Sequence, residues 1–479
     1  MHLTNSDLEK FFNPKSIAFI GVSRSSSNFG GKSFLDKYLE AGYEGKLYPI
    51  NPKAEEISGV KAWPSLESLP EIPDMALIAV AAPHVAEVIG ACGQTGLRHA
   101  HILTSGFDES GTETGKKILE HLVETANHYD VLFIGPNCMG PYNPAPRLTA
   151  WGAIPGIPGP LGLILQSGAM TQRMTEYTAS LGLGVSKAVS VGNGSVINGI
   201  DFLEAFGQDQ SIKVIGIYLE GVPDGRRFLE VAQDVGQKKP VVLLKGGETS
   251  AGARTASSHT GAMAGDAVLW KAAAHQANMI RVEDINEWVD VLMACCRLSQ
   301  PQSGGVFICC GGGGNSVIYG DICTRKGLNV PSLSKKTMKG LQKLAPEIGS
   351  ITGNPLDMWK AYNKIDCLVD ALDLIEHDSA IALTFVDRLI TRKAYHIEDD
   401  PNPTPEMIEG LKKRRGKKPV IFVVDSEGGD SQLAHRGAVM RSIFGKGGYA
   451  AFPSISRAAR AVSLLYRYYQ RKEQLRAIS

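Results

Sequence analysis

Short apolar runs alternate with longer stretches of helical period along the whole chain, and most runs end in glycine, serine or asparagine. Ser16–Val22, Gly45–Ile50, Met75–Val80, His101–Thr104 and Val131–Ile134 read as strands. Helical patterns over Gly31–Ala41 and Val85–Thr95 lie between them. Parallel strands need long crossovers, which helices supply, so this alternation predicts an α/β chain built on parallel sheets.

The pattern divides into three blocks, which matches roughly three domains at ~150 residues each for 479 residues. Residues 1–145 form the first. The segment Pro144–Pro160, NPAPRLTAWGAIPGIPGP with its flanks, is rich in proline and glycine and marks a linker. The second block, 146–300, has strands at Leu161–Leu165, Ser186–Val191, Val214–Leu219 and Val241–Lys245, then a helical stretch near Asp284–Leu298. Pro301–Gly305 is a second break. The third block, 301–479, runs through Gly305–Cys310, Ile381–Phe385 and Pro419–Val424 to a helical C-terminus, Ser454–Leu475. The second and third blocks open alike, LGLILQSGAM against GGVFICCGGGGNSV, which hints at two related flavodoxin-like units.

Lysine plus arginine number 50 and aspartate plus glutamate 49, so no charge excess points to nucleic acid or an anionic membrane. The basic run Lys412–Lys413–Arg414–Arg415 with Lys417–Lys418 directly precedes a strand and reads as a solvated helix end. The eight cysteines show neither CxxC nor zinc-ligand spacing, and most lie in apolar runs as small hydrophobes, so no metal site is expected. No signal peptide and no apolar run approaching ~18 residues is present, so a reduced, cytoplasmic protein without a membrane span is expected.

The chemistry concentrates in turns that follow strands. AGARTASSHTGAMAGD, from Ala251 to Asp266, surrounds His259 with small residues only. Such a segment reads as a mobile or exposed loop that lets something large approach, and imidazole accepts and returns a group near neutral pH. A surface loop with an incidental histidine is the plainer reading of the residue types alone. Gly21–Val22–Ser23, then Gly30, Gly31 and Lys32, form a glycine-rich strand-to-helix turn of the kind that presents N–H groups to an anion; a tight structural turn fits equally. The spacing is neither GxGxxG nor a P-loop, which disfavours nicotinamide dinucleotide. Lys53, past the second strand, suits a phosphate or plain solvent. Ser167 and Gly168 open a helix after a strand and fit a phosphoryl group or simple capping. Glu220 ends a strand on the ligand side of the sheet, where it would orient an imidazole or simply face water. Gly311–Gly314 fits an anion nest or a bare turn.

In order along the chain, SIAFIGVS, YPINPK, DMALIAVAAP, ILTSGFDESG, IGPNCMG, LILQSGAM, SVGN with IDFLEAF, IGIYLEG, VVLLKGG, AGARTASSHTGAMAGD, GGVFICCGGGGN and ITGNPLD resemble the α subunit of the NDP-forming acyl-CoA synthetases (acetate–CoA ligase, ADP-forming). These are relatives of succinyl-CoA synthetase, and the resemblance covers roughly residues 5–470. It implies a Rossmann-like CoA-binding domain followed by two flavodoxin-like, succinyl-CoA-synthetase-like domains. It also implies that His259 is a phosphohistidine paired with Glu220, and that Ser167 and Gly168 hold the phosphoryl group. By the same resemblance, Gly21, Ser23, Lys32, Lys53 and Asn137 are expected in or near the CoA pocket. The implied reaction interconverts acyl-CoA, ADP and phosphate with a carboxylic acid, CoA and ATP through an acyl phosphate. No stretch resembles an ATP-grasp domain, so ATP or ADP with Mg2+ is expected mainly on a separate ATP-grasp β chain, in an α2β2 assembly.

Three departures from the family pattern stand out. Gly311–Gly314 lacks the usual proline, Lys245–Gly246–Gly247 replaces lysine–serine–glycine, and Val196–Gly199 lacks an acidic residue. The last bears on the acid pocket rather than on phosphotransfer. A non-catalytic CoA- or acyl-CoA-binding regulatory subunit, or a scaffold, is the competing reading.

Overall fold

The computed structural model describes residues 3–23, 30–151, 156–260, 266–300, 304–344, 352–358, 364–388, 390, 404–426 and 430–478. At 257–260 this covers the backbone only. The chain forms two compact units, residues 1–179 with 184–284, and residues 180–183 with 285–479.

The first unit holds two sheets. The first contains β1 (Ser16–Ile20), β2 (Lys46–Ile50), β5 (Met75–Ile78), β6 (His99–Ile102) and β7 (Leu132–Ile134), with a small hairpin β3–β4 (Glu56–Ile57, Val60–Lys61) beside it. Its order is β2-β1-β5-β6-β7, all parallel. Strand Ser16–Ile20 is buried along its whole length, as expected of a parallel strand covered on both faces. Helices α2 (Gly31–Ala41), α3 (Val85–Thr95) and α4 (Glu113–Tyr129) provide crossovers. Thr112 caps α4 by accepting from the Gly115 N–H at 3.0 Å, and Asp130 ends it in the left-handed conformation.

The second sheet has β9 (Leu161–Leu165), β10 (Val185–Ser190), β11 (Val214–Leu219), β12 (Val241–Lys245) and β13 (Ile280–Val282), with β8 (Gly140–Tyr142) antiparallel on its β10 edge. Proline at 141 suits an edge strand. Helices α5 (Gly168–Ser180), α6 (Gly199–Gln208), α7 (Gly225–Lys238), α8 (Ser250–Thr260) and α9 (Ala267–Gln276) connect its strands. Gly162 sits inside β9 because a Cβ there would lie 2.9 Å from both Phe206 of α6 and Ile212.

The second unit carries a third parallel sheet, β14 (Val306–Cys310), β15 (Leu356–Asp357), β16 (Leu383–Asp387), β17 (Val420–Val423) and β18 (Ala450–Phe452), in the order β15-β14-β16-β17-β18. Phe422 stacks on Phe444 in its core, with ring centroids 3.8 Å apart. Helix α10 (Ile285–Arg297) packs in this unit on the C-terminal helix Ile455–Ile478. Arg457 forks onto Asp290 at 2.6 and 2.8 Å. Helix α11 (Gly313–Arg325) begins inside the Gly311–Gly314 stretch, with Gly312 as its N-cap.

Counted by the parallel strands of each sheet, all three sheets have the order 2-1-3-4-5. This is the doubly wound plan in which a crevice opens beside the first strand, where the winding reverses. Among the described residues, no helix is long and apolar enough to cross a membrane.

Candidate functional site

In the first unit, strand ends from both sheets frame a cleft of about 500 Å³, with β5 and β9 each bordering the reversal of its own sheet. One wall is Ala79–Ala81 and Leu103–Ser105, from the loops after β5 and β6; the floor is Asn137–Met139. The facing wall is Gln166–Ala169, where β9 gives way to α5, with Gly192 and Asn193 from the turn after β10. Two of its polar edges are backbone. The Asn193 N–H donates to the Pro136 carbonyl at 3.1 Å, and a Cβ on Gly192 would sit 2.2 Å from that oxygen, so only glycine permits the approach.

The floor is the GPNCMG turn. It begins where β7 ends in the first sheet and closes where β8 begins in the second. Asn137 holds a left-handed φ of 58°, donates its N–H to Thr104 O at 2.9 Å, and directs its amide to Asn193 Oδ1 at 3.4 Å. Met139 N–H donates to Ser190 Oγ at 3.3 Å. Beneath the floor lies His101, fully buried on β6, its Nε2 3.1 Å from the Cys138 carbonyl and its Nδ1 without a partner. Burial pushes this imidazole down to about 4, so the ring is neutral and its Nε2–H donates. Burial also pushes the Cys138 thiol up to about 12, which removes it as a nucleophile at neutral pH.

Glu220 follows β11 and is buried. Tyr218 Oη donates to Glu220 Oε1 at 3.0 Å, Lys245 Nζ donates to the Glu220 carbonyl at 2.8 Å, and the Glu220 N–H donates to Gln166 Oε1. The ammonium of Lys245 also lies 5.1 Å from the Trp270 ring centre, and burial lowers its pKa. Glu220 is therefore a fixed carboxylate rather than a solvated loop residue. Across the cleft mouth, Asn193 Nδ2 donates to Asp108 Oδ1 at 2.8 Å and Glu109 Oε2 at 2.6 Å. Glu109 Oε1 accepts from the Gly106 N–H at 2.6 Å.

The structure thus gathers Asn137, Ser167 and Gly168 on one cleft, with Glu220 tied to its wall through Gln166. Ser167 also caps α5, its Oγ accepting from Met170 N–H at 3.4 Å. Gly21 acts structurally: with φ at 89°, a Cβ there would press within 2.7 Å of the Ala79 backbone behind the cleft wall. Ser23 is exposed beside the undescribed residues 24–29. Lys32 pairs with Asp36 of its own helix at 2.8 Å, and Lys53 is exposed. None of these three lines the described cleft.

His259 requires a correction. The small-residue segment reads as a loop from its sequence, yet Ser250–Thr260 is helix α8, and His259 lies in its last turn. Ala251, Ala253 and Ala256 lose no side-chain entropy in a helix, and Thr249 starts it by accepting from the Gly252 N–H at 3.1 Å. Helix α8 packs near Asp108–Ser110, the short turn that binds Asn193. The rest of the expected loop, 261–265, lies outside the described residues. Sequence reasoning gave no site role to Gln166, Asn193, His101, Tyr218 and Lys245; all but His101 stand in the quoted motifs LILQSGAM, SVGN, IGIYLEG and VVLLKGG, where the neighbouring residues drew the reading.

Residues 15–144 match the family described as CoA binding domain, and residues 158–295 the succinyl-CoA ligase like flavodoxin domain. The chain is 36% identical over 471 residues to the acetate–CoA ligase (ADP-forming) I subunit alpha of Pyrococcus furiosus, covering 96% of this chain and 97% of that protein. The chain belongs to the ADP-forming acyl-CoA synthetases. An acetate–CoA ligase (ADP-forming) I of Archaeoglobus fulgidus is 32% identical over 96% of this chain but only 64% of its own length. Among solved structures, the dinucleotide-forming acetyl-coenzyme A synthetase 1 of Ca. Korarchaeum cryptofilum, in complex with phosphate and ADP, superimposes with a TM-score of 0.85 at 30% identity over 99% of both chains. The α/β architecture of an acyl-CoA synthetase, with CoA-binding and flavodoxin-like domains, is therefore the one this chain adopts.

Proposed function

We propose that this chain is the α subunit of an acid–thiol ligase that interconverts acyl-CoA, ADP and phosphate with a carboxylic acid, CoA and ATP. The observation that carries this reading is the cleft that joins the GPNCMG floor to the start of α5, with the Glu220 carboxylate fixed behind it. Its volume of about 500 Å³ lies in the range that holds a small ligand, and suits the acyl end of a thioester with a phosphate.

In this reading a phosphate oxygen attacks the thioester carbonyl, the C–S bond breaks, and CoA leaves as the thiol after taking up a proton. The Ser167–Gly168 helix start offers its N–H groups and positive dipole end to the phosphoryl oxygens of the acyl phosphate. A neutral ring nitrogen of His259 attacks phosphorus, the bond to the acyl oxygen breaks, and the carboxylate departs. Glu220 steadies the imidazolium charge through the other ring nitrogen. The phosphoryl group then passes to ADP.

Gly21, Ser23, Lys32, Lys53 and Asn137 belong to the CoA side of this reading; Asn137 has the strongest support because it lines the cleft. The nucleotide and its magnesium sit mainly on an ATP-grasp partner chain, in an α2β2 assembly. Support comes from the relative spanned end to end, which is called an α subunit, and from the Archaeoglobus protein, which is longer. Domains at 1–145, 146–300 and 301–479 complete the proposal, each with one parallel sheet. A cytoplasmic setting fits eight cysteines that are all free thiols.

Incubation with γ-labelled ATP and magnesium, with and without the ATP-grasp partner, tests this beside His259→Ala. Acid-labile, base-stable label is expected on the wild type only, and only with the partner. No label under either condition, with CoA still bound, would instead leave a binding or regulatory subunit.

A further inference from the structure

Gln166 is the last residue before the Ser167–Gly168 turn, and its side-chain amide makes three hydrogen bonds. Oε1 accepts from the N–H groups of Glu220 and Gly221, the latter at 3.1 Å, and Nε2 donates to the Gly221 carbonyl at 3.1 Å. The amide behaves as one more peptide unit laid between β9 and β11. The last backbone bond between these strands here is Gln166 N–H to Tyr218 O, at 3.2 Å; beyond it the chains part to open the crevice. Gln166 bridges that opening from within the cleft wall. A plain strand-end brace needs one such bond. Here three are spent on the two residues that carry and follow the carboxylate, by the residue that precedes the phosphoryl-binding turn.

We propose that Gln166 is a positioning residue for phosphoryl transfer, holding the Glu220 carboxylate in register with the Ser167–Gly168 helix start. The proposal rests on the reading of His259 and Glu220 above. The role of Gln166 is to fix the distance between the group that steadies the imidazole and the groups that receive the phosphoryl oxygens. Misplacement of such groups by about 1 Å costs on the order of 100-fold in rate.

A double-mutant cycle tests it in the assembled enzyme: wild type, Gln166→Met, Glu220→Gln and the pair, read as the rate of His259 labelling from phosphorus-labelled acetyl phosphate, with labelling from γ-labelled ATP as the control for His259 itself. CoA affinity and the unfolding midpoint are followed alongside. Gln166→Met is expected to slow labelling about 100-fold when Glu220 is present and about threefold or less in the Glu220→Gln background, with CoA affinity unchanged. Equal slowing in both backgrounds, or none in either, overturns the proposal. If the methionine variant folds poorly, Gln166→Glu serves. It keeps both acceptor contacts but loses the donor, and about tenfold slower labelling is expected; an unchanged rate overturns the proposal. Absence of label on the wild type would instead remove the phosphohistidine reading itself.

Discussion

At the scale of single residues, Gly140 packs directly against His101 under the cleft floor. A Cβ on Gly140 would lie 2.4–2.6 Å from three atoms of the buried ring, and its φ of 71° already disfavours a side chain. Gly140→Ala is expected to destabilise the N-terminal unit by about 3 kcal/mol, from overpacking together with left-handed strain. Adding His101→Ala should return part of that loss, measured by urea unfolding; strict additivity would contradict the contact. Glu220 shows what sequence reading reaches and where it stops. Its place at a strand end was legible, because the end of a doubly wound strand is a ligand position. The choice between solvent and a fixed carboxylate was not, because Gln166, Tyr218 and Lys245, which settle it, come from three different segments.

At the scale of elements, the strands that bury both faces were the most legible. Leu161–Leu165, Val214–Leu219 and Val241–Lys245 have in the structure the bounds their apolar runs give. Helices Gly31–Ala41 and Val85–Thr95 likewise keep theirs, each closed by a left-handed glycine, Gly42 and Gly96. Short edge pieces escaped: β8 contains proline, β15 is two residues long, and β18 is the three-residue run Ala450–Phe452. Helix α8 escaped for a different reason. Serine, threonine and glycine signal a loop locally, whereas alanine spacing and a threonine cap favour the helix. Thr249→Ala is expected to speed exchange of the Gly252 amide about fivefold, the loss of a cap of ~1 kcal/mol, as read by amide hydrogen exchange. An unchanged rate would mean that this turn is held by something other than its cap.

At the scale of the whole molecule, one strand order is used three times, and each unit buries a titratable group whose displaced pKa adds a pH slope of its own. In the C-terminal unit, burial and the neighbouring Asp425 charge raise Asp387 to about 7 from its ordinary 3.8, against the pull of the Tyr319 hydroxyl and Arg388. A raised carboxyl favours folding below its unfolded value, and that contribution is lost as pH climbs from about 4 through about 7. Asp387→Asn should flatten this part of the stability profile of the C-terminal unit. In the N-terminal unit His101 acts with the opposite sign: lowered to about 4 from 6.5, it contributes above 6.5 and the contribution is lost as pH falls toward 4. Unfolding followed separately in the two units between pH 4 and 8 should show the N-terminal unit weakening toward acid and the C-terminal unit weakening toward neutrality. Parallel profiles would exclude this assignment. The GPNCMG turn leaves β7 in one sheet and enters β8 in the next within five residues, from Ile134 to Gly140. Such a short covalent tether works as a fixed spacer between the two sheets. The base of the cavity it underlies is therefore held at one width, so under the function proposed above a ligand too broad for that base is turned away by geometry.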